Sequence, residues 1–339
     1  METHCLPAAQ QALEQAALLL QQGQVVAFPT ETVYGLGANA LNPQAVRAIF
    51  EAKGRPSDNP LIVHVADRTQ LQGLCQINET AEKLMDAYWP GPLTILMKKT
   101  ELVPDVTTAG LKTVAVRCPN HPVALQLIRE SGLPIAAPSA NRSGRPSPTT
   151  AAHVWEDMQG RIPLILDGGD CRVGVESTVL DATGDVPCIL RPGAVTPHMI
   201  EAVCGACTLA PSLMRPLMEG EEALSPGMKH RHYAPKAKMT VYVGPDEPVL
   251  DAICRRYDDA ENAWILAHEH CIAALHGRRV LSLGDDPDDG ARLLFQRLRE
   301  LDALNASLIL AQGWQEEDVG LAVMNRMARA AAFDIVRLG

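Results

Sequence analysis

A short turn with two cations is the first stretch of this sequence that could carry chemistry. It reads K-G-R-P-S-D-N-P-L-I-V-H over residues 53–64, between a helical pattern and an apolar run that predicts a strand. Pro56 and Pro60 each fix a backbone angle, which should hold Lys53 and Arg55 in defined positions. Arginine offers a planar set of donors and lysine a point charge, so the pair suits a polyphosphate. Taken alone, the stretch is equally consistent with a solvated surface turn.

Hydroxyl, amide and guanidinium groups at the ends of other predicted strands could complete such a site. Thr30 and Thr32 alternate along an extended segment and should share one face. Ser139 and Asn141 are also two residues apart at a strand end, and a polar turn follows them. Arg117 ends an apolar strand, where a guanidinium needs a carboxylate or phosphate partner. These strand ends suit a phosphate, although the two threonines could instead cap the next element.

The pattern of helices and strands predicts two α/β units that position these residues. Helical segments and short apolar strands fill residues 1–207, and residues 239–339 repeat that alternation in a way that predicts a smaller parallel sheet. Residues 208–238 are rich in proline and basic residues, and this connection far exceeds the usual ~4–6 residues. We interpret it as a linker that acts as a lid, with a disordered tether as the alternative. Neither common Gly-rich nucleotide-binding motif is present.

Composition excludes several classes of protein. The chain has 339 residues, which fits two domains, and a formal net charge of -10, which argues against a bulk nucleic-acid binder. Nine scattered cysteines indicate a reducing compartment, and the C-x-x-C of Cys204 and Cys207 lacks the second pair that a zinc site needs. The sequence shows neither a signal-peptide pattern nor the ~20 apolar residues of a membrane span. We therefore expect a cytoplasmic protein with no membrane partner.

With these segments assembled, the chain closely resembles the two-domain, YrdC-type L-threonylcarbamoyladenylate synthases. The resemblance rests on P-T-E-T-V-Y-G-L-G, K-G-R-P-x-x-N-P-L-I-V-H, W-P-G-P-L-T, A-P-S-A-N-x-S-G, E-S-T-V, L-R-P-G-A and S-P-G-M-K-H-R-H-Y-A-P. It implies an α/β fold with a YrdC-like catalytic domain at residues 1–207, in which a twisted mixed sheet and helices surround a concave site. A linker or lid at 208–238 would join it to a smaller, Rossmann-like parallel α/β domain at 239–339.

The resemblance also implies an activity. Enzymes of this family are nucleotidyltransferases that condense L-threonine, bicarbonate and ATP, with Mg²⁺, into L-threonylcarbamoyl-AMP and release pyrophosphate. Other proteins then transfer the threonylcarbamoyl group to the adenosine next to the anticodon in tRNA. Downstream tRNA threonylcarbamoyl-transfer proteins are therefore expected partners, and a weak or transient tRNA contact is a further expectation.

Site residues follow from the same resemblance. The catalytic signature would consist of Lys53, Arg55, Ser139 and Asn141. The residues expected to contact ATP or the product nucleotide are Arg55, Asn59, Thr113, Ser139, Ser147, Arg191 and Tyr233, the last from the linker. Those expected to hold L-threonine are Thr32, His64, Arg117, Ser177 and the backbone at Ala137. No Mg²⁺ ligands are identified, and ATP itself is expected to supply much of the metal coordination.

Two other functions compete with this one. An RNA-binding ribosome-maturation protein is the first, because YrdC-like domains have a basic concave face. The acidic total and the absence of interleaved aromatic and basic residues count against it. A carbamoyltransferase acting on another acceptor is the second, because related domains occur in hydrogenase-maturation proteins. Those chains add acylphosphatase and zinc-finger segments, which this sequence lacks.

Overall fold

The computed structural model describes residues 1–57, 59–213, 215 and 233–339, which form two β-sheets flanked by helices. The larger sheet has 12 strands and the smaller has five. This architecture confirms the predicted α/β class, with a mixed sheet first and a parallel sheet second. Most of the predicted linker, including residues 229–232, lies outside the described residues. The lid and the domain bounds at 207 and 238 therefore stay predictions.

The larger sheet mixes parallel and antiparallel pairs. Its strands are β1 (His4–Pro7), β2 (Val26–Phe28), β3 (Gly35–Asn39), β4 (Ile62–His64), β5 (Cys75–Gln76), β6 (Leu93–Lys99), β7 (Thr113–Arg117), β8 (Ile135–Ala136), β9 (Leu164–Asp167), β10 (Thr178–Asp181), β11 (Cys188–Arg191) and β12 (Thr208–Leu209). Their order is β1-β9-β2-β3-β8-β4-β7-β6-β10-β11-β12, with β5 paired to β6. The pair β4–β7 is parallel and sets His64 opposite Arg117, whereas β6–β7 is antiparallel.

Helices cover this sheet and bury its central strands. They are α1 (Gln10–Gln21), α2 (Pro43–Lys53), α3 (Glu79–Tyr88), α4 (Asp105–Thr108), α5 (Pro122–Ser131), α6 (Ala151–Met158) and α7 (Pro197–Cys204), with a 3₁₀ turn at Arg68–Leu71. Val46 and Ile49 of α2 share one apolar cluster with Val63 of β4 and Val116 of β7. The strands that end at His64 and Arg117 are thus fixed in the interior.

Helix α2 begins and ends at residues suited to those positions. The Asn42 side chain accepts hydrogen bonds from the backbone nitrogens of Gln44 at 2.9 Å and Ala45 at 3.3 Å. Pro43 occupies the first turn, where its missing N–H costs nothing. Gly54 ends the helix with φ 66°, in the left-handed region that glycine adopts most easily. Lys53 is therefore held as the last helical residue.

The smaller sheet contains only parallel pairs in the part of the chain that the structure describes. Its strands, β13 (Lys238–Val243), β14 (Ala263–Ala267), β15 (Val280–Ser282), β16 (Leu308–Gln312) and β17 (Ile335–Arg337), lie in the order β15-β14-β16-β13-β17. Its helices are α8 (Asp246–Asp258), α9 (Pro287–Ala303) and α10 (Asp318–Ala330), with a 3₁₀ segment at Glu269–Leu275. Because all these strands run the same way, their carboxyl ends share one edge.

Helices α9 and α10 pack against the loops of the larger sheet. Val33 and Val175 belong to the same buried cluster as Phe295 of α9 and Met324 of α10. Gly174 lies so close to α9 that an added Cβ would stand 2.4 Å from a backbone atom of that helix. The second unit thus covers part of the first.

Two further observations concern cysteines and membranes. All nine cysteines are free thiols. Across the described ranges, no helix combines the length and the apolar character needed to cross a bilayer.

Candidate active site

A buried pocket lies in the larger sheet near the ends of β4, β7 and β11. The predicted site residues that line it are Thr32, Arg55, His64, Arg117, Ala137, Ser139, Ser177, Arg191 and Tyr233. These residues are far apart in the sequence, and the fold brings them together. Three of them are arginines, whereas the wall formed by described residues contains one carboxylate, that of Glu176. The pocket therefore favours anionic ligands.

Arg117 is held by a carboxylate that the sequence analysis did not identify as a site residue. Its guanidinium lies 2.6 Å from Glu31 Oε1, and both side chains are almost fully buried. It also donates to Thr32 Oγ1 at 2.8 Å, and Thr32 and Thr30 hydrogen-bond each other at 2.9 Å. The two hydroxyls thus lie together, but in a bend and not in the predicted extended segment, because Thr30 Oγ1 also accepts the backbone N–H groups of Thr32 and Val33. Burial alone would raise the pKa of Glu31, but the charge of Arg117, together with hydrogen bonds from Arg117 and from backbone N–H groups, lowers it, so the pair stays ionised.

His64 is a buried, neutral imidazole. Burial, and then the charge of Arg117, lower its pKa to about 3. Its Nδ1 lies 3.2 Å from the Ile62 carbonyl, which indicates that Nδ1 carries the proton and that Nε2 is an acceptor. The same carbonyl accepts the backbone N–H of Ala137 at 2.9 Å. A ligand contact with the backbone of Ala137 would therefore use its carbonyl oxygen.

Lys53 does not line the pocket, contrary to the expectation that it is presented from a rigid turn. Its ammonium donates to the backbone oxygens of Ser139 at 2.5 Å and Asn141 at 2.7 Å, and to Asn141 Oδ1 at 3.2 Å. The Ser139 hydroxyl donates to the same Oδ1 at 2.5 Å. Burial, followed by the charge of Arg55, lowers the pKa of Lys53 well below its usual value. Lys53 thus connects the end of α2 to the loop that contains Ser139 and Asn141, which we call the serine–asparagine loop.

Arg55 and Asn59 occupy the other part of the same turn. Arg55 lines the pocket, with its guanidinium 5.4 Å from the centroid of the Phe50 ring. Asn59 is fully buried, and its side-chain amide has no hydrogen-bond partner among the described residues. An unpaired buried amide is costly unless a ligand or water completes it. Of the two predicted cations, Arg55 is the one that lines the pocket.

Arg191 and Ser177 form a second positively charged part of the wall. Arg191 Nη2 donates to the backbone oxygen of Ser177 at 2.9 Å and to its hydroxyl at 3.1 Å. The Ser177 hydroxyl also lies 2.8 Å from Thr94 Oγ1. Burial lowers the pKa of Arg191 to about 10, which leaves the guanidinium charged at neutral pH.

Glu176, the pocket carboxylate, is paired with a residue from the second unit. Arg326 of α10 donates from Nε to Glu176 Oε2 at 2.9 Å and from Nη1 to the Pro192 carbonyl at 2.6 Å. The fully buried Ser147 donates to the other carboxylate oxygen of Glu176. Ser147 does not line the pocket itself but contacts a residue that does. Burial would raise the pKa of Glu176, but Arg326 and then Arg191 lower it. The sequence analysis missed Glu176 although it begins the E-S-T-V motif.

Thr113 is another predicted site residue that does not line this pocket. It begins β7, whereas Arg117 ends that strand. Four residues of strand span about 13 Å. Thr113 lines a different cavity with Lys98, Lys99 and Lys112. Its expected contact with the nucleotide stays a prediction.

Tyr233 brings the described end of the predicted linker to the pocket. It is 4% exposed, and its ring centroid lies 5.2 Å from that of Phe295 in α9. The next residue, Ala234, donates its backbone N–H to the Gly144 carbonyl at 2.9 Å. Tyr233 therefore contacts both the pocket and the second unit.

Comparisons with known proteins agree with the motifs and the fold. A model of the Sua5/YciO/YrdC family, described as "Telomere recombination", matches residues 18–193, and a model described as "Threonylcarbamoyl-AMP synthase, C-terminal domain" matches residues 195–332. The chain is 47% identical over 328 residues to the threonylcarbamoyl-AMP synthase of Pyrococcus abyssi, and the match covers 95% of each protein. The chain belongs to the threonylcarbamoyl-AMP synthase family.

Further relatives support membership of the threonylcarbamoyl-AMP synthase family. The Bacillus subtilis threonylcarbamoyl-AMP synthase is 48% identical over 330 residues, with 96% of this chain and 94% of that protein covered. The solved structure of P. abyssi Sua5 complexed with L-threonine matches with a TM-score of 0.91 at 44% identity, covering 100% of this chain and 99% of that one. The resemblance seen in the motifs is confirmed, and the chain is an enzyme of the nucleotidyltransferase type.

Proposed function

We propose that this chain synthesises L-threonylcarbamoyl-AMP from L-threonine, bicarbonate and ATP, with release of pyrophosphate. The observation that carries the proposal is the buried pocket that joins Arg55, Arg117 and Arg191 to hydroxyl groups and a neutral imidazole. All three substrates bear negative charge, so they need cations to approach one another. The similarity to P. abyssi Sua5, solved with L-threonine, supports the choice of amino acid.

L-threonine binds beside Arg117 in this proposal. The Arg117 guanidinium would pair with the threonine carboxylate, and its existing bonds to Glu31 and Thr32 fix its orientation. His64 would position the substrate through its Nε2 acceptor and not act as the base, because a group with a pKa of about 3 binds protons too weakly at neutral pH. The Ala137 carbonyl would accept a hydrogen bond from the substrate, and the Ser177 hydroxyl could accept or donate one.

ATP binds beside Arg55 in this proposal. Arg55 and Arg191 supply the fixed positive charge for the phosphates, and Asn59 supplies the buried amide. Ser139 lies on the loop that Lys53 and Asn141 hold in place. Ser147 would act through Glu176, and Tyr233 would cover the nucleotide from the side of the second unit. Lys53 and Asn141 are therefore positioning residues.

The reaction has two bond-forming steps. The threonine amine bonds to the carbon of bicarbonate, and loss of water gives a carbamate. A carbamate oxygen then attacks the α-phosphorus of ATP, the bond to the β-phosphate oxygen breaks, and pyrophosphate leaves. Arg55 and Arg191 reduce the repulsion between the carbamate and ATP and orient the two anions for reaction. These two effects accelerate the reaction without a strong base.

The described pocket wall does not offer a Mg²⁺ site of its own. Its carboxylate, Glu176, is ion-paired with Arg326 and accepts a hydrogen bond from Ser147. Glu31, the nearby acid, is ion-paired with Arg117. Mg²⁺ prefers oxygen ligands that remain available. No step of the proposed reaction depends on protein-bound Mg²⁺.

The product is a reactive mixed anhydride, and this determines the proposed partners. It would serve, in the cytoplasm, the threonylcarbamoylation of the adenosine next to the anticodon in tRNA. Downstream tRNA threonylcarbamoyl-transfer proteins would accept it, and any contact with tRNA itself would be weak or transient. A buried pocket covered by Tyr233 fits this chemistry because it limits hydrolysis.

Pyrophosphate release from ATP and Mg²⁺ tests the proposal. L-threonine and bicarbonate are each added or withheld, and L-serine replaces L-threonine as a control. We expect release to require both substrates and to prefer threonine. Arg55→Ala should abolish it, whereas Arg47→Ala, at an exposed position of the preceding helix α2, should not. Release that ignores threonine and bicarbonate, or that persists in Arg55→Ala, would refute the proposal.

A further inference from the structure

The smaller sheet carries a cluster of possible metal ligands that the synthase reaction does not use. Asp246 follows β13, and His270 and Cys271 follow β14. One ligand atom from each of these side chains lies within 4.8 Å of the other two. The cluster stands at the edge where the carboxyl ends of the parallel strands meet. Open α/β sheets bind their ligands at this edge.

Two further side chains from the same edge orient these ligands. Asp285, after β15, lies 2.6 Å from His270 Nδ1, and His270 Nε2 then lies 3.1 Å from Asp246 Oδ2. A carboxylate on the distal nitrogen is the usual support for a metal-binding imidazole. Gln312, at the end of β16, donates to Asp246 Oδ1 at 2.7 Å and approaches Cys271 Sγ at 3.6 Å. Four adjacent strands thus contribute to one arrangement.

A buried histidine beside the cluster has an unused nitrogen. His268 is 9% exposed, and its Nε2 has no hydrogen-bond partner in the described ranges. Its ring centroid lies 5.7 Å from that of His270 and 4.5 Å from that of Trp314. Buried polar atoms without partners often indicate an ion or water that completes them.

We propose that Asp246, His270 and Cys271 bind a divalent transition-metal ion of the zinc class. One oxygen, one nitrogen and one sulfur suit Zn²⁺ or Co²⁺, whereas Mg²⁺ and Ca²⁺ prefer oxygen ligands alone. Three protein ligands leave a fourth tetrahedral position for water or an added ligand. The 3.1 Å gap between His270 Nε2 and Asp246 Oδ2 is also short enough for both atoms to bind one ion. The competing occupant of that gap is a second proton, which would make His270 an imidazolium.

Cobalt binding to the full-length, chelator-treated protein distinguishes the metal from the proton. We expect one equivalent of Co²⁺ to produce a thiolate-to-metal charge-transfer absorption that Zn²⁺ removes and Mg²⁺ does not. Cys271→Ser should abolish this absorption. Asp285→Asn, which keeps all three ligands, should weaken Zn²⁺ binding by about 10-fold to 100-fold. The absence of Co²⁺ absorption would overturn the proposal in favour of the imidazolium.

Other cysteines provide the matched controls. Cys254→Ser, on α8 in the same unit, should leave the absorption unchanged. The double variant Cys204→Ser/Cys207→Ser should also leave it unchanged, although that pair has C-x-x-C spacing. Absorption that survives Cys271→Ser, or that disappears only in the double variant, would overturn the proposal. Pyrophosphate release by Cys271→Ser should match wild type, which verifies that the variant is folded.

Discussion

Replacing Arg326 by methionine should destabilise the protein strongly, because it leaves the pocket carboxylate of Glu176 as an uncompensated buried charge. The relative exposures of the two side chains are 0% and 8%, and Nε lies 2.9 Å from Oε2. At that distance and an effective dielectric constant of ~20, the attraction is about 6 kcal/mol. Removing one partner of a buried pair costs about 3–5 kcal/mol in free energy of unfolding. Methionine retains an apolar side chain, so the loss reports mainly charge and hydrogen bonds.

Urea unfolding followed by tryptophan fluorescence measures this cost. The single variants Arg326→Met and Glu176→Gln and the double variant form a cycle. The double variant should be more stable than the sum of the single losses predicts, by about 3 kcal/mol, because the two residues are in contact. Arg292→Met is the matched control, since Arg292 and its partner Asp289 are half-exposed. That substitution should cost less than about 1 kcal/mol.

The pH dependence of the loss provides a second readout. In wild type, Arg326 and Arg191 hold the pKa of Glu176 below its unfolded value of about 4.3. The ion pair therefore contributes fully above that pH, and its contribution is lost as the pH falls through the folded pKa. In Arg326→Met, burial raises the pKa of Glu176, so the stability deficit should shrink as the pH is lowered from 7 toward 5. A deficit below about 1 kcal/mol at pH 7, or one that does not change with pH, would refute the reasoning.

Three further substitutions test separate parts of the structure. Lys53→Met removes the ammonium that holds the serine–asparagine loop. In steady-state pyrophosphate assays, the KM for ATP should therefore rise more than the KM for L-threonine. An equal rise in both would contradict this. His64→Gln should leave the shape of the rate profile between pH 6 and 8 unchanged, because His64 does not titrate there; the loss of an inflection would show otherwise. Gly174→Ala places a Cβ against α9 at φ +84° and should lower stability by more than about 2 kcal/mol, whereas the Cβ of Gly184→Ala meets only the Val186 carbonyl at 3.8 Å and should not lower it. Equal melting temperatures would contradict the close packing of α9.

Local motifs were enough to predict most of the pocket wall. Arg117 and Arg191 end strands, Ser139 follows β8, and strand ends are marked in the sequence by a change from apolar to polar residues. Thr113 was expected only from the family resemblance; it begins β7 and lines a different cavity, and its nucleotide contact stays a prediction. The sequence pattern also could not show that the ammonium of Lys53 donates its hydrogen bonds to backbone oxygens.

Long-range partners could not be predicted. Glu31 and Glu176 lie inside recognised motifs, yet only the folded structure shows that each is buried against an arginine. Arg326 belongs to an ordinary amphipathic helix, and no local signal links it to the pocket. The parallel character of the second sheet followed from alternating strands and helices, because parallel strands need long crossovers. The strand order, which brings Asp246 next to His270, depends on tertiary packing.

The contact between Glu176 and Arg326 has an evolutionary consequence. Positions 176 and 326 are 150 residues apart, but a change at one alters the cost of the other. Among homologues that retain both units, the two positions should therefore vary together, with an acid at one accompanied by a base at the other. A gene split between the units would also separate the acid from its counter-ion, so the two products would need to reassociate before the pocket regained its charge balance.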